Sequence, residues 1–332
     1  MAEDIPHPRD VFDLQGHDEA ELAFEDARAR GRLHHAWLLT GPEGLGKATF
    51  AFRAARRLLG APHDPAFGIL GVDPRHAVSR QVMARAHPDL LVLERVGEDS
   101  KPRRIIPVDE ARKLSEFFSK SPATAPHRVA IIDAADDLNM NAANAVLKTL
   151  EEPPPQGVLL LVSHAPGGLL PTIRSRCRRL GFSPLGGPET ARFVADRAGV
   201  SVEDSIRLGT MSGGAPGRAW RLARAGAVAL DDAAKTLLAD LPDLDEAMAL
   251  ALTDRFRGAE GAATFNLLFD RLADRIHSRV RDWAQDSVTG LDPWVRAWES
   301  LQRLPREVEG VNLDRTDALF TALTELRAAA RT

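Results

Sequence analysis

The order of patterns along the chain predicts an α/β fold, in which a parallel sheet carries helices on both faces. Short apolar runs alternate with helical patterns up to about residue 165, which is typical of such a sheet. A glycine-rich turn follows the first apolar run directly, as in folds with a phosphate-binding loop. After about Pro184 the strand patterns cease, and apolar residues recur every three to four positions as in helices.

Each predicted strand is a short apolar run. The strands are residues 36–40 (AWLLT), 89–96 (DLLVLERV), 128–136 (RVAIIDAAD) and 158–163 (VLLLVS). Helical patterns lie between them, at residues 48–60, 108–122 and 141–155. Asn139 or Asn141 could cap the last of these helices, and three prolines end it. Residues 61–80 have no clear period and are predicted to form an irregular loop.

The C-terminal third is predicted to be helical throughout. Residues 264–283 carry one continuous apolar stripe, formed by Phe265, Leu268, Leu272, Ile276, Val280 and Trp283. Residues 294–304 and 317–330 show similar patterns. Stripes of this kind usually form a domain's own core, whereas an oligomeric collar would leave part of them for neighbouring chains. The sequence leaves open which residues those are.

Composition bounds the class of protein. The chain has 332 residues, which predicts two or three domains at about 150 residues each. A net charge of -4 argues against a self-sufficient DNA-binding protein, whose affinity would come from neutralising phosphates. The single cysteine, Cys177, excludes an intrachain disulfide and a four-cysteine zinc site. No apolar run reaches about 18 residues, and the acidic N-terminus does not resemble a signal peptide, so we expect a cytoplasmic protein.

The stretch GPEGLGKATF, residues 41–50, nearly matches the phosphate-binding pattern G-x-x-x-x-G-K-[ST]. The residues that match the pattern or lie within such a loop are Gly41, Gly44, Gly46, Lys47 and Thr49. Ala48 stands where the pattern has the hydroxyl that binds Mg²⁺. Thr49 comes one residue late, about 100° further round the helix, and does not simply replace it. We therefore predict a degenerate nucleotide-binding loop that binds ATP or ADP weakly, and the alternative is a turn without a ligand.

A second change affects the acidic end of the strand at 128–136. Asp133 ends the apolar run and suits a carboxylate associated with magnesium. Ala134 follows it, where an ATPase of this type usually has a glutamate that orients the attacking water. We interpret Asp136 and Asp137 as solvated acids at a strand end. Two independent losses predict little or no ATP hydrolysis by this chain.

Four arginines cluster after residue 173: Arg174, Arg176, Arg178 and Arg179. An arginine at a subunit edge can stabilise the charge that develops on a neighbour's γ-phosphate. By composition alone, a solvated basic turn is the favoured interpretation.

Taken together, these motifs resemble those of the delta-prime subunits of bacterial DNA polymerase III clamp loaders, a AAA+ family. The matching stretches are GRLHHAWLLTGPEGLGKAT, NAANAVLKTLEEPP, the triplet Ser175-Arg176-Cys177 and GGAPGR, in this order over about residues 10–225. The resemblance implies that Arg176 reaches ATP held by an adjacent motor subunit, with Ser175 and Cys177 at the interface. It places Ser163 at a polar sensor position and Arg218 at a second one, although Arg218 could equally be a solvent-facing residue at a helix start.

The resemblance also implies a division into domains. These are an AAA+ P-loop-like domain at 1–183, a helical lid at 184–226 and an α-helical collar at 227–332. Many members carry a four-cysteine zinc module after the first helix, but residues 61–88 have no cysteine. We therefore expect no zinc, and this segment either folds without metal or stays mobile.

The function that the resemblance implies is that of a delta-prime-like subunit, which helps to load the sliding clamp on primed DNA. The implied partners are delta and gamma or tau subunits in a ring, the clamp, and primed DNA through the complex, with no membrane. Three alternatives stay open: an active gamma/tau-like ATPase, a pure scaffold in which Arg176 is an ordinary interface charge, and an autonomous DNA-binding AAA+ protein.

Overall fold

The computed structural model describes residues 5–95, 105–241, 243, 246–258, 260–286, 290–311 and 313–331. The chain forms two compact units, one built from residues up to 193 with 209–219, the other from 194–208 with 220–332. The segment predicted as a lid, 184–226, is divided between both units. The three-domain division stays a prediction.

The first unit is built on one parallel sheet. Its strands are β1 (Ala36–Thr40), β2 (Leu90–Glu94), β3 (Arg128–Asp133), β4 (Gly157–Ser163) and β5 (Arg178–Gly181). They lie in the order β2-β3-β4-β1-β5, and every neighbouring pair is parallel. The four predicted strands are confirmed, although Val96 lies outside the described residues. The sequence missed β5, a four-residue edge strand in which only Leu180 is buried.

Helices cover both faces of this sheet, so the predicted fold class is confirmed. They are α1 (Asp18–Ala29), α2 (Lys47–Leu58), α3 (Ala77–Met83), α4 (Val108–Phe118), α5 (Met140–Glu151) and α6 (Pro171–Ser175). The helices α7 (Gly187–Ala198), α8 (Val202–Met211) and α9 (Pro216–Arg224) follow β5 in the chain. Leu39 packs in one buried cluster with Phe24 and Phe50, whereas Leu38 packs in another with Val146. Adjacent strand residues point to opposite faces, so each strand supplies both cores.

The helix α5 is capped by Asn139, one of the two residues predicted to cap it. The side chain of Asn139 accepts a hydrogen bond from the Ala142 amide at 2.8 Å. This bond satisfies one of the free amides of the first turn, which would otherwise need water or another partner.

The segment after α2 is folded and anchored to a buried ion pair. Arg53 Nε donates to Glu21 Oε1 at 2.7 Å, and Arg53 Nη2 donates to the carbonyl of Phe67 at 2.9 Å. Arg53 and Glu21 are each 3% exposed. The prediction of a purely irregular loop at 61–80 is wrong from Ala77 onward, where α3 begins, capped by His76 Nδ1.

The second unit is helical. Besides the parts of α7, α8 and α9 that belong to it, it contains α10 (Ala227–Ala239), α11 (Glu246–Thr253), α12 (Gly261–Gln285), α13 (Asp292–Val311) and α14 (Arg315–Ala330). The predicted apolar stripe of α12 is buried at Phe265, Leu268, Leu272 and Ile276, and half-buried at Val280 and Trp283. Most of the stripe is therefore the unit's own core. In the part of the chain that the structure describes, no helix is both long and apolar enough to span a membrane.

Candidate functional site

The glycine-rich loop joins β1 to α2 at the carboxyl edge of the sheet, and its lysine is turned back onto it. Lys47 is the first residue of α2 and is 2% exposed. Its Nζ donates to the carbonyls of Gly41 and Pro42, both at 2.6 Å. Burial lowers the pKa of Lys47 to about 8, although the charges of Asp133 and neighbouring acids oppose the shift. The ammonium group is thus engaged with the carbonyls of its own loop.

The N-terminus of α9 is docked on the same loop. The amide of Gly217 donates to the carbonyl of Gly44 at 2.9 Å. Gly44 has a φ of +83°, and a Cβ there would lie 2.6 Å from the backbone nitrogen of Arg218. A Cβ on Gly46 would lie 2.5 Å from Leu14 Cδ1. The backbone of Arg218 therefore lies against the loop while its side chain is exposed, and the sensor role of Arg218 stays a prediction. Protein atoms pack closely on two of the loop's glycines.

Neither residue that follows Lys47 presents a hydroxyl as the pattern requires. Ala48 is half-buried against the core between α2 and the sheet. Thr49 is 9% exposed within α2. The magnesium-binding hydroxyl of the complete pattern has no counterpart at position 48.

The acids after β3 are used by the protein itself. Ser163 Oγ donates to Asp136 Oδ1 at 2.9 Å, and the amides of His164 and Ala165 donate to the same carboxylate at 2.6 and 3.1 Å. The interpretation of Asp136 as a solvated acid is wrong, since it binds the end of β4. Asp133 is half-buried at the end of β3, and burial raises its pKa although the charges of nearby cations oppose this.

Asp137 is also not a solvated acid. Its carboxylate accepts a hydrogen bond from the Ala134 amide at 3.4 Å and pairs with Arg95 Nε at 3.2 Å. The sequence contained no local signal for the partners of Asp136 or for Arg95, because they come from other segments of the chain.

The triplet Ser175-Arg176-Cys177 forms the end of α6. Ser175 Oγ donates to the carbonyl of Thr172 at 3.2 Å, and Arg176 Nη1 donates to the same carbonyl at 3.1 Å. Arg176 Nη2 also pairs with Glu151 Oε1 at 3.1 Å. Cys177 is half-buried against the core beneath α5 and α6, and burial raises the pKa of its thiol to about 12. A thiol of this kind is protonated at neutral pH and has the character of a packing residue.

The arginine cluster does not act as one group. Arg174 is exposed on α6, whereas Arg178 lies over the ring of Trp37, 4.8 Å from its centroid. Arg179 Nε donates to Thr40 Oγ1 at 2.9 Å. Buried Leu180 and Phe182 alternate with exposed Arg179 and Gly181, and this period of two is the signal that could have revealed β5.

The loop and Arg176 lie at opposite edges of the sheet. Arg178 is in register with Trp37, near the amino end of β1, whereas the loop begins after its carboxyl end at Thr40. At about 3.3 Å per residue, the distance along the strand from Trp37 to Gly41 is roughly 13 Å. Arg176 precedes Arg178 by two residues and lies beyond this amino edge. Thus the structure brings together the loop, Asp133, Ser163 and Arg218 at the carboxyl edge, and it places Arg176 with Ser175 and Cys177 at the other edge.

Three sets of known proteins resemble this chain in sequence. A family described as DNA polymerase III, delta subunit, matches residues 16–186. DNA polymerase III subunit delta' of Pseudomonas aeruginosa is 39% identical over 198 residues, 58% of this chain and 57% of that protein. The gamma/tau subunit of Mycobacterium tuberculosis is 30% identical over 203 residues, 60% of this chain and 33% of that protein. The matches thus span little more than half of the first relative and a third of the second.

A solved structure also aligns with the chain. The gamma subunit-related protein of DNA polymerase III from Thermotoga maritima is 20% identical, with coverage of 92% of this chain and 99% of that one. The TM-score of this alignment is 0.46.

Proposed function

This chain belongs to the family described as DNA polymerase III, delta subunit, and on that premise we propose that it is a delta-prime-like subunit of a clamp loader. In this role it helps to place the sliding clamp on primed DNA. Its partners are delta and gamma or tau subunits in a hetero-oligomeric ring, and it meets the clamp and the DNA through that complex. It contributes an arginine in trans to the ATP of a neighbouring motor subunit.

The observation that carries this proposal is the position of Arg176. This side chain lies at the amino edge of the sheet, beyond β5, whereas the chain's own glycine-rich loop lies at the carboxyl edge. Arg176 therefore cannot act on a phosphate held in its own loop. It is 37% exposed, so a second chain can approach it. A guanidinium at a subunit edge stabilises charge on a transferring phosphoryl group when the nucleotide belongs to a neighbour.

The degenerate loop is the second part of the proposal. The amine of Lys47 is bound to two loop carbonyls, and α9 is hydrogen-bonded to Gly44. Ala48 offers no magnesium ligand, and Ser163 is engaged with Asp136. For phosphates to enter, several of these contacts would have to be exchanged. We infer weak binding of ATP or ADP and no useful turnover by this chain alone.

The test is ATP turnover by the reconstituted loader with clamp and primed DNA, with substitutions in this chain only. We expect Arg176→Ala to slow turnover by up to about 10³–10⁵-fold, the range for loss of an arginine finger. Arg176→Lys should remain impaired, since lysine keeps the charge but loses the planar fork. Lys47→Ala should leave turnover unchanged. Wild-type turnover by the Arg176→Ala loader would refute the donated arginine, whereas a large loss with Lys47→Ala would refute the degenerate loop.

A gamma/tau-like ATPase is the alternative, because Gly41, Gly46 and Lys47 of the loop pattern are in place. It predicts turnover by the isolated chain that Lys47→Ala abolishes. Our proposal predicts turnover by the isolated chain at the level of the Lys47→Ala variant.

A further inference from the structure

The guanidinium of Arg176 is held by a carboxylate from another helix. Glu151 is the last residue of α5, and its Oε1 lies 3.1 Å from Arg176 Nη2. The carbonyl of Thr172 accepts from the other terminal nitrogen, Nη1, also at 3.1 Å. The carbonyl on α6 and the carboxylate on α5 therefore contact the two terminal nitrogens of the planar group. None of the sequence motifs assigned a role to Glu151.

The two helices that carry this pair, α5 and α6, contribute to one buried apolar cluster. The helix α6 packs on the end of α5 through Ile173, which is 1% exposed, and Leu150, which is 3% exposed. Cys177 packs against the same core on the other side of Arg176. Leu150 immediately precedes Glu151, and Ile173 precedes Arg176 by one helical turn. Both segments of backbone that carry the ion pair thus adjoin residues of one buried apolar cluster.

The pair leaves donors for a further ligand. A guanidinium has five N–H donors, and the hydrogen bond to Thr172 uses one of them, on Nη1. The side chains of Arg176 and Glu151 are 37% and 51% exposed. An exposed pair of this kind is weak, so it orients the arginine without preventing small adjustments. An arginine side chain has considerable rotamer entropy. Orienting it before a phosphate binds reduces the entropy that is lost on binding.

We propose that Glu151 is a positioning residue, whose carboxylate orients the guanidinium of Arg176 towards the nucleotide of a neighbouring chain. The inference rests on the proposed function, because Glu151 acts only through Arg176. The ion pair with Arg176 Nη2 does the orienting, so the negative charge of Glu151 is required. A glutamine at this position keeps the length of the side chain but removes the charge, as an alanine does.

The experiment measures kcat and KM for ATP of the reconstituted loader with clamp and primed DNA. The variants in this chain are Glu151→Ala, Glu151→Gln, Arg176→Ala and the double variant Arg176→Ala with Glu151→Ala. Glu152→Ala is the matched control, since it removes the same charge from the next, exposed residue. We expect Glu151→Ala to lower kcat about fivefold at unchanged KM, the scale of an exposed ion pair. Glu151→Gln should lower kcat by a similar factor, because it also removes the charge, and Glu152→Ala should match wild type.

The other outcomes overturn the proposal. Wild-type or faster turnover with Glu151→Ala would mean that the carboxylate is idle or restrains the arginine. Wild-type turnover with Glu151→Gln beside a loss with Glu151→Ala would mean that the length of the side chain, and not the ion pair, matters. A further loss in the double variant beyond that of Arg176→Ala would mean that Glu151 acts through another group. If Arg176→Ala itself has no effect on turnover, the proposal of a donated arginine is refuted as well. If Arg176→Ala strongly lowers turnover and Glu151→Ala does not, only the positioning role is refuted.

Discussion

Replacing Gly44 by alanine tests the docking of α9 on the glycine-rich loop. Gly44 has a φ of +83°, and the new Cβ would lie 2.6 Å from the nitrogen and 3.0 Å from the Cβ of Arg218. Both of these atoms belong to the start of α9, where they cannot move as the tip of a flexible side chain can. The loop and the helix must therefore separate.

Three effects set the magnitude. A left-handed conformation costs an alanine about 1–2 kcal/mol. Displacement of packed atoms typically costs about 1–3 kcal/mol. The hydrogen bond from Gly217 to the Gly44 carbonyl, now 2.9 Å long, contributes about 1 kcal/mol and would be lost. We expect Gly44→Ala to lower the free energy of unfolding of the first unit by about 3–6 kcal/mol.

Gly31→Ala is the matched control, because Gly31 has a φ of +65° and a Cβ there would meet nothing within 4 Å. It should cost only the conformational strain of about 1–2 kcal/mol. The assay is hydrogen exchange, followed by mass spectrometry in increasing urea, of peptides from β1, β3 and β4. The amide of Gly217 should also lose protection in Gly44→Ala alone. Equal destabilisation by the two substitutions would refute the docking of α9 on the loop.

Two further predictions concern buried groups of the first unit. Asp89 accepts hydrogen bonds from the amides of Ala123, Thr124 and Ala125 at 2.7–3.1 Å. Asp89→Ala should therefore lower the free energy of unfolding in urea by about 3–5 kcal/mol, and a decrease below about 1 kcal/mol would contradict this. Burial alone would raise the pKa of Asp89, but these amides hold it below its usual range. The stabilisation is therefore present above the usual aspartate pKa and is lost as pH falls through the lowered value, so unfolding titrations should show less acid sensitivity in Asp89→Ala. Burial raises the pKa of Cys177 to about 12. Iodoacetamide at pH 8 should therefore alkylate this thiol at least about a hundredfold more slowly in the folded chain than in the urea-unfolded chain, and equal rates would contradict the packing role.

The period at which apolar residues repeat was sufficient to predict most of the fold. The strands at 36–40 and 158–163 and the buried stripe of α12 follow from local patterns, since apolar side chains must repeat with the period of the element that buries them. It failed for β5, whose arginines are typical of a turn, and for α3, a seven-residue helix too short to show a period. An edge strand buries little, so its composition is weakly constrained.

The candidate site divides in the same way. By itself the sequence determined the residue types: a loop with its lysine but without its hydroxyl, an acid followed by alanine, and an arginine between serine and cysteine. Only the tertiary structure decided their partners: Asp136 with Ser163, Lys47 with its own loop, α9 with Gly44, and Arg176 with Glu151. The physical reason is that these contacts join distant segments, and several use backbone amides and carbonyls, which every residue has. Such groups leave no mark on the sequence, so their pairing is known only once the sheet has set which ends of the strands meet.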